Sequence, residues 1–150
     1  MQNWMIYGAN GYTGELIAHE AAARGLRPIL AGRDATAVAV LANELRLAHR
    51  SFPAGAPALA EVSLVLNCAG PFSATAAPLM RACLEGRAHY LDITGEIDVF
   101  EHAQTLSSAA RMAGVVICPG VSGGENPRKY GGGSVAFTYR LPARAGGKKG

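Results

Sequence analysis

The hydrophobic pattern of the chain alternates between two periods. Short apolar runs are separated by stretches in which apolar positions recur every third or fourth residue. Trp4 to Tyr7 is apolar and stops at Gly8, as a strand buried on both faces does. Leu16, Ile17 and Ala21 then predict a helical stripe, with Gly25 as its C-terminal stop. Pro28 to Ala31 reads as a second short strand. Asp34 is placed to cap a helix in which Val38, Leu41, Ala42 and Leu45 fall at i, i+3, i+4 and i+7. Pro53, Gly55 and Pro57 break any regular pattern over residues 51–61, leaving room for a short third strand near Arg50 to Phe52. Val62 to Asn67 is a clear strand, bounded by Cys68-Ala69-Gly70-Pro71. A helix from about Thr75 to Glu85 follows, with Pro78 in its first turn. The series ends with a strand from His89 to Ile93, a helix from Ile97 to Ala113 closed by Gly114, and a strand from Val115 to Cys118.

Strands alternating with helices at this spacing predict right-handed βαβ units. The expected fold is therefore α/β: a Rossmann-like, doubly wound parallel sheet in the order 3-2-1-4-5-6, with three layers. This domain is expected to occupy residues 1–121. Residues 122–150 form a glycine-rich basic tail, in which Val135 to Leu141 alternates like an amphipathic strand.

Composition narrows the class. At 150 residues and 49% hydrophobic content the chain can bury a core, and 17% charge argues against disorder. No apolar run is long enough to span a membrane, and a strand beginning at Trp4 leaves no room for a secretory leader, so a cytoplasmic location is expected. The net charge of +3 is local: the three lysines and Arg128, Arg140 and Arg144 all lie beyond residue 125, and the remainder is acidic. A basic face for nucleic acid is therefore not expected. Cys68, Cys83 and Cys118 form no CxxC pair and read as small core residues. The four histidines show no metal-ligand spacing, so no metal is expected.

The chemistry concentrates in Gly8-Ala9-Asn10-Gly11-Tyr12-Thr13-Gly14, which follows a strand and opens a helix. A dinucleotide site needs a tight turn, a close approach of backbone to the pyrophosphate, and a helix N-terminus aimed at the anion. The spacing here is GxxGxxG rather than GxGxxG, and the strand–turn–helix context supports a phosphate-binding turn. NAD-preferring sites place an acid at the end of the second strand to bind the ribose diol. That end reads Ala31-Gly32-Arg33-Asp34, where Arg33 offers a planar charged fork suited to a 2′-phosphate. Asp34 is either a helix cap or the ribose acid, and its neighbours favour the cap. The expected cofactor is NADP, with NAD as the alternative.

Asn67 to Phe72 ends the strand at the topological switch point, where Ala69, Gly70 and Pro71 would shape a loop against the nicotinamide ribose. Tyr90, Asp92, Thr94 and Glu96 follow as candidates for contacts near the nicotinamide, with capping of the next helix as the other reading of Asp92 and Glu96. The residues four positions after Tyr7, Tyr12, Tyr90, Tyr130 and Tyr139 are Gly11, Leu16, Thr94, Ser134 and Ala143, so the Tyr–Lys pair of short-chain dehydrogenases is missing. Neither that pair nor a Ser-His-Asp set can be assembled, and no catalytic residue is assigned.

Together YGANGYTGELIA, ILAGR, VLNCAGPF, HYLDITGE and VVICPGV resemble the N-terminal domain of the saccharopine dehydrogenase-like oxidoreductases, including the trans-acting enoyl reductases. The resemblance covers residues 4–121. It implies a Rossmann domain, use of NADPH or NAD, and hydride transfer to a C=O, C=N or C=C substrate. It also implies Gly8, Gly11, Tyr12, Thr13 and Gly14 at the pyrophosphate, Arg33 at the adenosine phosphate, and Gly70 and Pro71 near the nicotinamide. Family members continue through a Gly-Phe-Asp type turn into a large substrate domain, where this chain has Ser122-Gly123-Gly124-Glu125. The substrate domain is thus expected to be absent or reduced to the 135–141 segment. The substrate and the oligomeric state stay unassigned, uncovered apolar surface would favour a homo-oligomer, and a non-catalytic dinucleotide-binding module or redox sensor is the alternative to an enzyme.

Overall fold

The computed structural model describes residues 3–121; the strand expected at 135–141 lies outside the described residues. In chain order the elements are β1 (Asn3–Tyr7), α1 (Tyr12–Ala23), β2 (Ile29–Gly32), α2 (Ala35–Leu45), β3 (His49–Ser51), β4 (Val62–Asn67), α3 (Phe72–Gly86), β5 (His89–Asp92), α4 (Ile97–Thr105), α5 (Ser107–Ala113) and β6 (Ile117–Cys118). All pairings are parallel and the sheet order is β3-β2-β1-β4-β5-β6, the doubly wound arrangement expected.

Strand side chains alternate between two separate cores. Met5 and Tyr7 of β1, Val65 of β4 and Tyr90 of β5 pack with Leu79, Met80 and Cys83 of α3 and with Val99 and Ala110 of α4 and α5. Ile6 and Leu30 point the other way, onto Ala18 of α1 and Val38, Leu41 and Ala42 of α2. The period of two along each strand thus divides the apolar run between helical layers on both sides of the sheet.

Three local expectations change. The buried face of α1 is Gly14, Ala18 and Ala21, whereas Leu16 is exposed. The helix lies too close to β1 for a large side chain: a Cβ on Gly14 would sit 2.1 Å from the Gly8 carbonyl oxygen. Helix α3 starts three residues earlier than Thr75, because the Glu96 carboxylate accepts the N–H groups of Phe72 and Ser73. Pro78 consequently stands in the helix interior, where its missing N–H leaves the Ala74 carbonyl without the usual donor. The helix over 97–113 is two helices broken at Leu106, where the Thr105 hydroxyl donates to the His102 carbonyl at 2.6 Å and competes with the ladder. The remaining strand ends differ by one or two residues, and Gly25 closes α1 with φ +74° as expected.

Gly14→Ala is expected to lower stability by about 3 kcal/mol, because overpacking here meets backbone rather than a mobile side chain. Urea unfolding followed by circular dichroism measures the shift. A midpoint equal to wild type would mean that α1 can move off the sheet without cost.

Candidate functional site

The carboxyl end of β1 lies between those of β2 and β4, where the strand order reverses, and a crevice of about 490 Å³ opens there. Its floor is the glycine turn. Gly8 has φ +78°, and a Cβ there would lie 2.7 Å from the Ala69 backbone nitrogen, so glycine lets the β4–α3 loop close over the end of β1. The Gly8 and Ala9 N–H groups both donate to the Ala31 carbonyl at 2.8 and 3.0 Å, and Gly11 donates back to Gly8 at 3.1 Å. Gly11 is the N-cap of α1 and supplies no side chain to it. The first N–H to find an acceptor behind it is that of Glu15, on the Gly11 carbonyl. The N–H groups of Tyr12, Thr13 and Gly14 are therefore an open helix N-terminus with partial positive charge.

The other helices beside the crevice are closed. Asp34 accepts from the Ala37 N–H at 2.9 Å, so its carboxylate caps α2. Glu96 closes α3 with both carboxylate oxygens, at 3.0 Å from the Phe72 nitrogen and 2.8 Å from that of Ser73. Glu96 is thus a cap, but of a helix far away in sequence, not of the helix it precedes.

Gly8, Asn10, Gly11, Arg33, Ala69, Gly70 and Pro71 come together as lining of this one crevice. Tyr12, Thr13 and Gly14 are not part of its lining: Tyr12 is 84% exposed, Thr13 is half-buried, and Gly14 lies beneath the turn. The Asn10 carboxamide oxygen lies over Gly32. Arg33 is exposed at the end of β2, and its guanidinium makes no ion pair or hydrogen bond among the described residues. Opposite, the irregular segment after β3 forms a wall. The Tyr7 ring stacks on Phe52 with centroids 5.2 Å apart, its hydroxyl donates to the Phe52 carbonyl at 3.1 Å, and Arg50 holds the carbonyls of Ala58 and Ala60. Burial pushes the Tyr7 phenol up, partly offset by the nearby Arg33 charge.

Tyr90 and Asp92, expected as contacts near a nicotinamide, are wholly buried, and Thr94 is 5% exposed. They sit inside a hydrogen-bonded set behind the β4–α3 loop and cannot reach a ligand in the crevice. The sequence reading missed this set, and one signal for it was present: Asn67 and Asp92 end adjacent strands in paired register. The Cys68 thiol is pushed up to about 12, first by burial and then by the Asp92 charge, and Cys83 also to about 12 by burial. All three cysteines are free. Among the described residues no His, Cys, Asp and Glu cluster is placed to hold a metal, and no helix is long and apolar enough to cross a membrane.

The sequence profile of the saccharopine dehydrogenase NADP-binding domain matches residues 4–118. The chain belongs to that family. The match runs from β1 through the glycine turn to β6. A trans-acting enoyl reductase of Mycobacterium tuberculosis is 32% identical over 127 residues, covering 72% of this chain and 30% of its own. A human saccharopine dehydrogenase-like oxidoreductase is 27% identical over 124 residues, covering 67% of this chain and 29% of its own. The chain thus spans less than a third of the length of these relatives. The apo saccharopine dehydrogenase (L-Glu forming) of Saccharomyces cerevisiae superposes with a TM-score of 0.68 over 81% of this chain and 27% of its own, at 13% identity, which speaks to the fold alone.

The cysteine environment gives a direct test of the crevice walls. With its thiol pushed up to about 12, Cys68 stays almost wholly protonated at pH 8, and only the thiolate alkylates. Native protein treated with iodoacetamide at pH 8 should keep Cys68 and Cys83 unmodified by intact mass, while guanidinium-unfolded protein reacts at both. Rapid native alkylation of Cys68, which lines the crevice, would show that burial and Asp92 do not hold its thiol protonated.

Proposed function

We propose that this chain grips NADPH across the crevice and is the cofactor-binding part of an oxidoreductase that passes hydride to a C=O, C=N or C=C substrate. One observation carries the reading: Gly11, the N-cap of the only helix beside the crevice left without a side-chain cap among the described residues, lines the same crevice as the unpaired Arg33. Phosphate groups at both places would supply the missing acceptors. The fit is also steric, because Gly8 and Gly11 leave backbone rather than side chains at the floor.

In this reading the Tyr12, Thr13 and Gly14 N–H groups hold the pyrophosphate, with Gly11 keeping the approach clear and Asn10 at its edge. Arg33 binds the 2′-phosphate as a two-pronged donor, and because Asp34 spends its carboxylate on α2, Arg33 decides between NADP and NAD. Ala69, Gly70 and Pro71 form the wall against the nicotinamide ribose. The dihydronicotinamide supplies the hydride when bound; the residues of this chain orient it and keep water from one of its faces.

Thermal-shift and NADPH-fluorescence titrations of the 150-residue chain test the reading. NADPH is expected to raise the melting temperature more than NADH. Arg33→Ala should weaken NADPH by about tenfold to a hundredfold, the value of a charge-assisted hydrogen bond, and NADH by less than about twofold. Equal losses for both would sink the 2′-phosphate assignment, and no shift with either dinucleotide would sink the binding reading itself.

A further inference from the structure

Behind the β4–α3 loop lies a polar chain whose inner members, Asp92, Tyr90 and Asn67, are wholly buried, and whose outer members, Thr75 and Ala69, line the crevice. Asp92, 0% exposed, ends it: one carboxylate oxygen accepts the N–H groups of Thr94 at 3.0 Å and Gly120 at 2.8 Å, and the other accepts the Tyr90 hydroxyl at 2.7 Å. The Tyr90 oxygen in turn accepts from the Asn67 carboxamide at 3.1 Å, and the same amide group donates to Thr75 Oγ1 at 3.0 Å. Both remaining ends converge on one residue of the crevice wall. Asn67 Oδ1 accepts the Ala69 N–H at 3.0 Å, and the Thr75 hydroxyl donates to the Ala69 carbonyl at 2.6 Å. Ala69 is thereby fixed at both backbone polar groups, directly over Gly8.

The direction of each bond is dictated. Asp92 can only accept, so the tyrosine proton must point at it; the tyrosine oxygen is then left to accept from Asn67 Nδ2, which leaves Asn67 Oδ1 for Ala69. Every member is satisfied, and no buried side-chain nitrogen or oxygen among the described residues lacks a partner. Burial raises the Tyr90 phenol strongly, with Asp92 adding to it, so the tyrosine keeps its proton throughout the neutral range. The far end is tied to the point where the chain leaves the sheet: besides the Gly120 N–H, Asp92 receives the Val121 N–H on its backbone carbonyl at 2.8 Å.

We propose that Asp92, acting through Tyr90 and Asn67, is a positioning residue that sets the cofactor-facing loop at Ala69–Pro71 and couples it to the chain exit at Gly120–Val121. The proposal rests on the reading of the crevice as a dinucleotide site. It assigns the pair a duty at the nicotinamide-side wall only, since nothing in the chain of bonds reaches Arg33 or α1. A ligand that pushes on Ala69 therefore pushes on Gly120, and whatever follows residue 121 is informed of an occupied crevice.

Tyr90→Phe tests it, because the ring stays and only the hydroxyl linking Asp92 to Asn67 goes. Asp92→Asn is the second variant: it turns an acceptor toward Tyr90 into a donor and leaves the tyrosine proton without a place to go. For each, NADPH affinity is compared with that of adenosine 2′,5′-bisphosphate, which carries the adenosine phosphates but no nicotinamide half. Either variant should bind NADPH about fivefold to tenfold more weakly and the bisphosphate within about twofold of wild type. A core variant away from the loop, Val115→Ala, should lose melting temperature without this split. Wild-type amide hydrogen exchange adds a measurement that needs no variant: NADPH should slow exchange at Ala69 and also at Thr94 and Gly120. Unchanged NADPH affinity in the folded variants, equal losses for both ligands, or protection confined to the glycine turn would overturn the proposal. Wild-type protein that binds no NADPH would instead overturn the dinucleotide reading beneath it.

Discussion

The contact on which the rest of the structure depends is that between Gly14 and the Gly8 carbonyl. A helix that approaches a strand this closely cannot carry a large residue on its inner face, so α1 buries Gly14, Ala18 and Ala21 and turns Leu16 outward. The same closeness brings the first turn of α1 against the end of β1, with Gly11 as a cap that has no side chain. Little apolar area is gained by such a face. The compensation comes from β1 itself, central in the sheet, where Met5, Ile6 and Tyr7 are fully or almost fully buried between two helical layers.

Electrostatics then distinguishes three helix ends that the fold brings near one crevice. Each presents unpaired N–H groups and a partial positive charge. Asp34 neutralises α2 locally, and Glu96 neutralises α3 across the sheet edge, using an oxygen for each of two N–H groups. Only α1 is left to an external anion. Two carboxylates in the protein thus do for α2 and α3 what a phosphate would do for α1, and the crevice offers a single helix end instead of three. Selectivity for where an anion sits arises from closing the wrong places as much as from shaping the right one.

How much of this was legible in the sequence follows from how local each determinant is. The short apolar runs at Trp4–Tyr7 and Val62–Asn67, the turn after Gly8 and the Asp34 cap are decided within a few residues, and each of them appears where expected. The βαβ rhythm fixed the strand order for the same reason, since handedness restricts the alternatives. What escaped was decided at a distance. The start of α3 depends on Glu96, the packing of α1 on a backbone carbonyl six residues earlier, and the wall at Phe52–Ala54 on the Tyr7 hydroxyl and on Arg50. Tyr90 and Asp92 looked like surface chemistry because polar residues at a strand's carboxyl end usually are. Here the segment after β6, 28 residues further on, brings Gly120 onto Asp92 and seals them in.

That sealed carboxylate has no cation near enough to pair with it among the described residues, and a buried charge without compensation would cost several kcal/mol. Its compensation is a hydroxyl and two backbone N–H groups, each of which also fixes something else: the tyrosine, the turn at Thr94 and the chain exit at Gly120. An apolar residue at position 92 would leave all three undirected and each donor without its acceptor, at about 1–3 kcal/mol for each one buried. The carboxylate therefore satisfies three donors and fixes their geometry at the same time. Its effect passes through Asn67, whose carboxamide can be satisfied in one orientation only, and arrives at Ala69 as a fixed position over Gly8. The close approach that glycine permits on one side of the crevice is matched by a polar network that enforces it from the other.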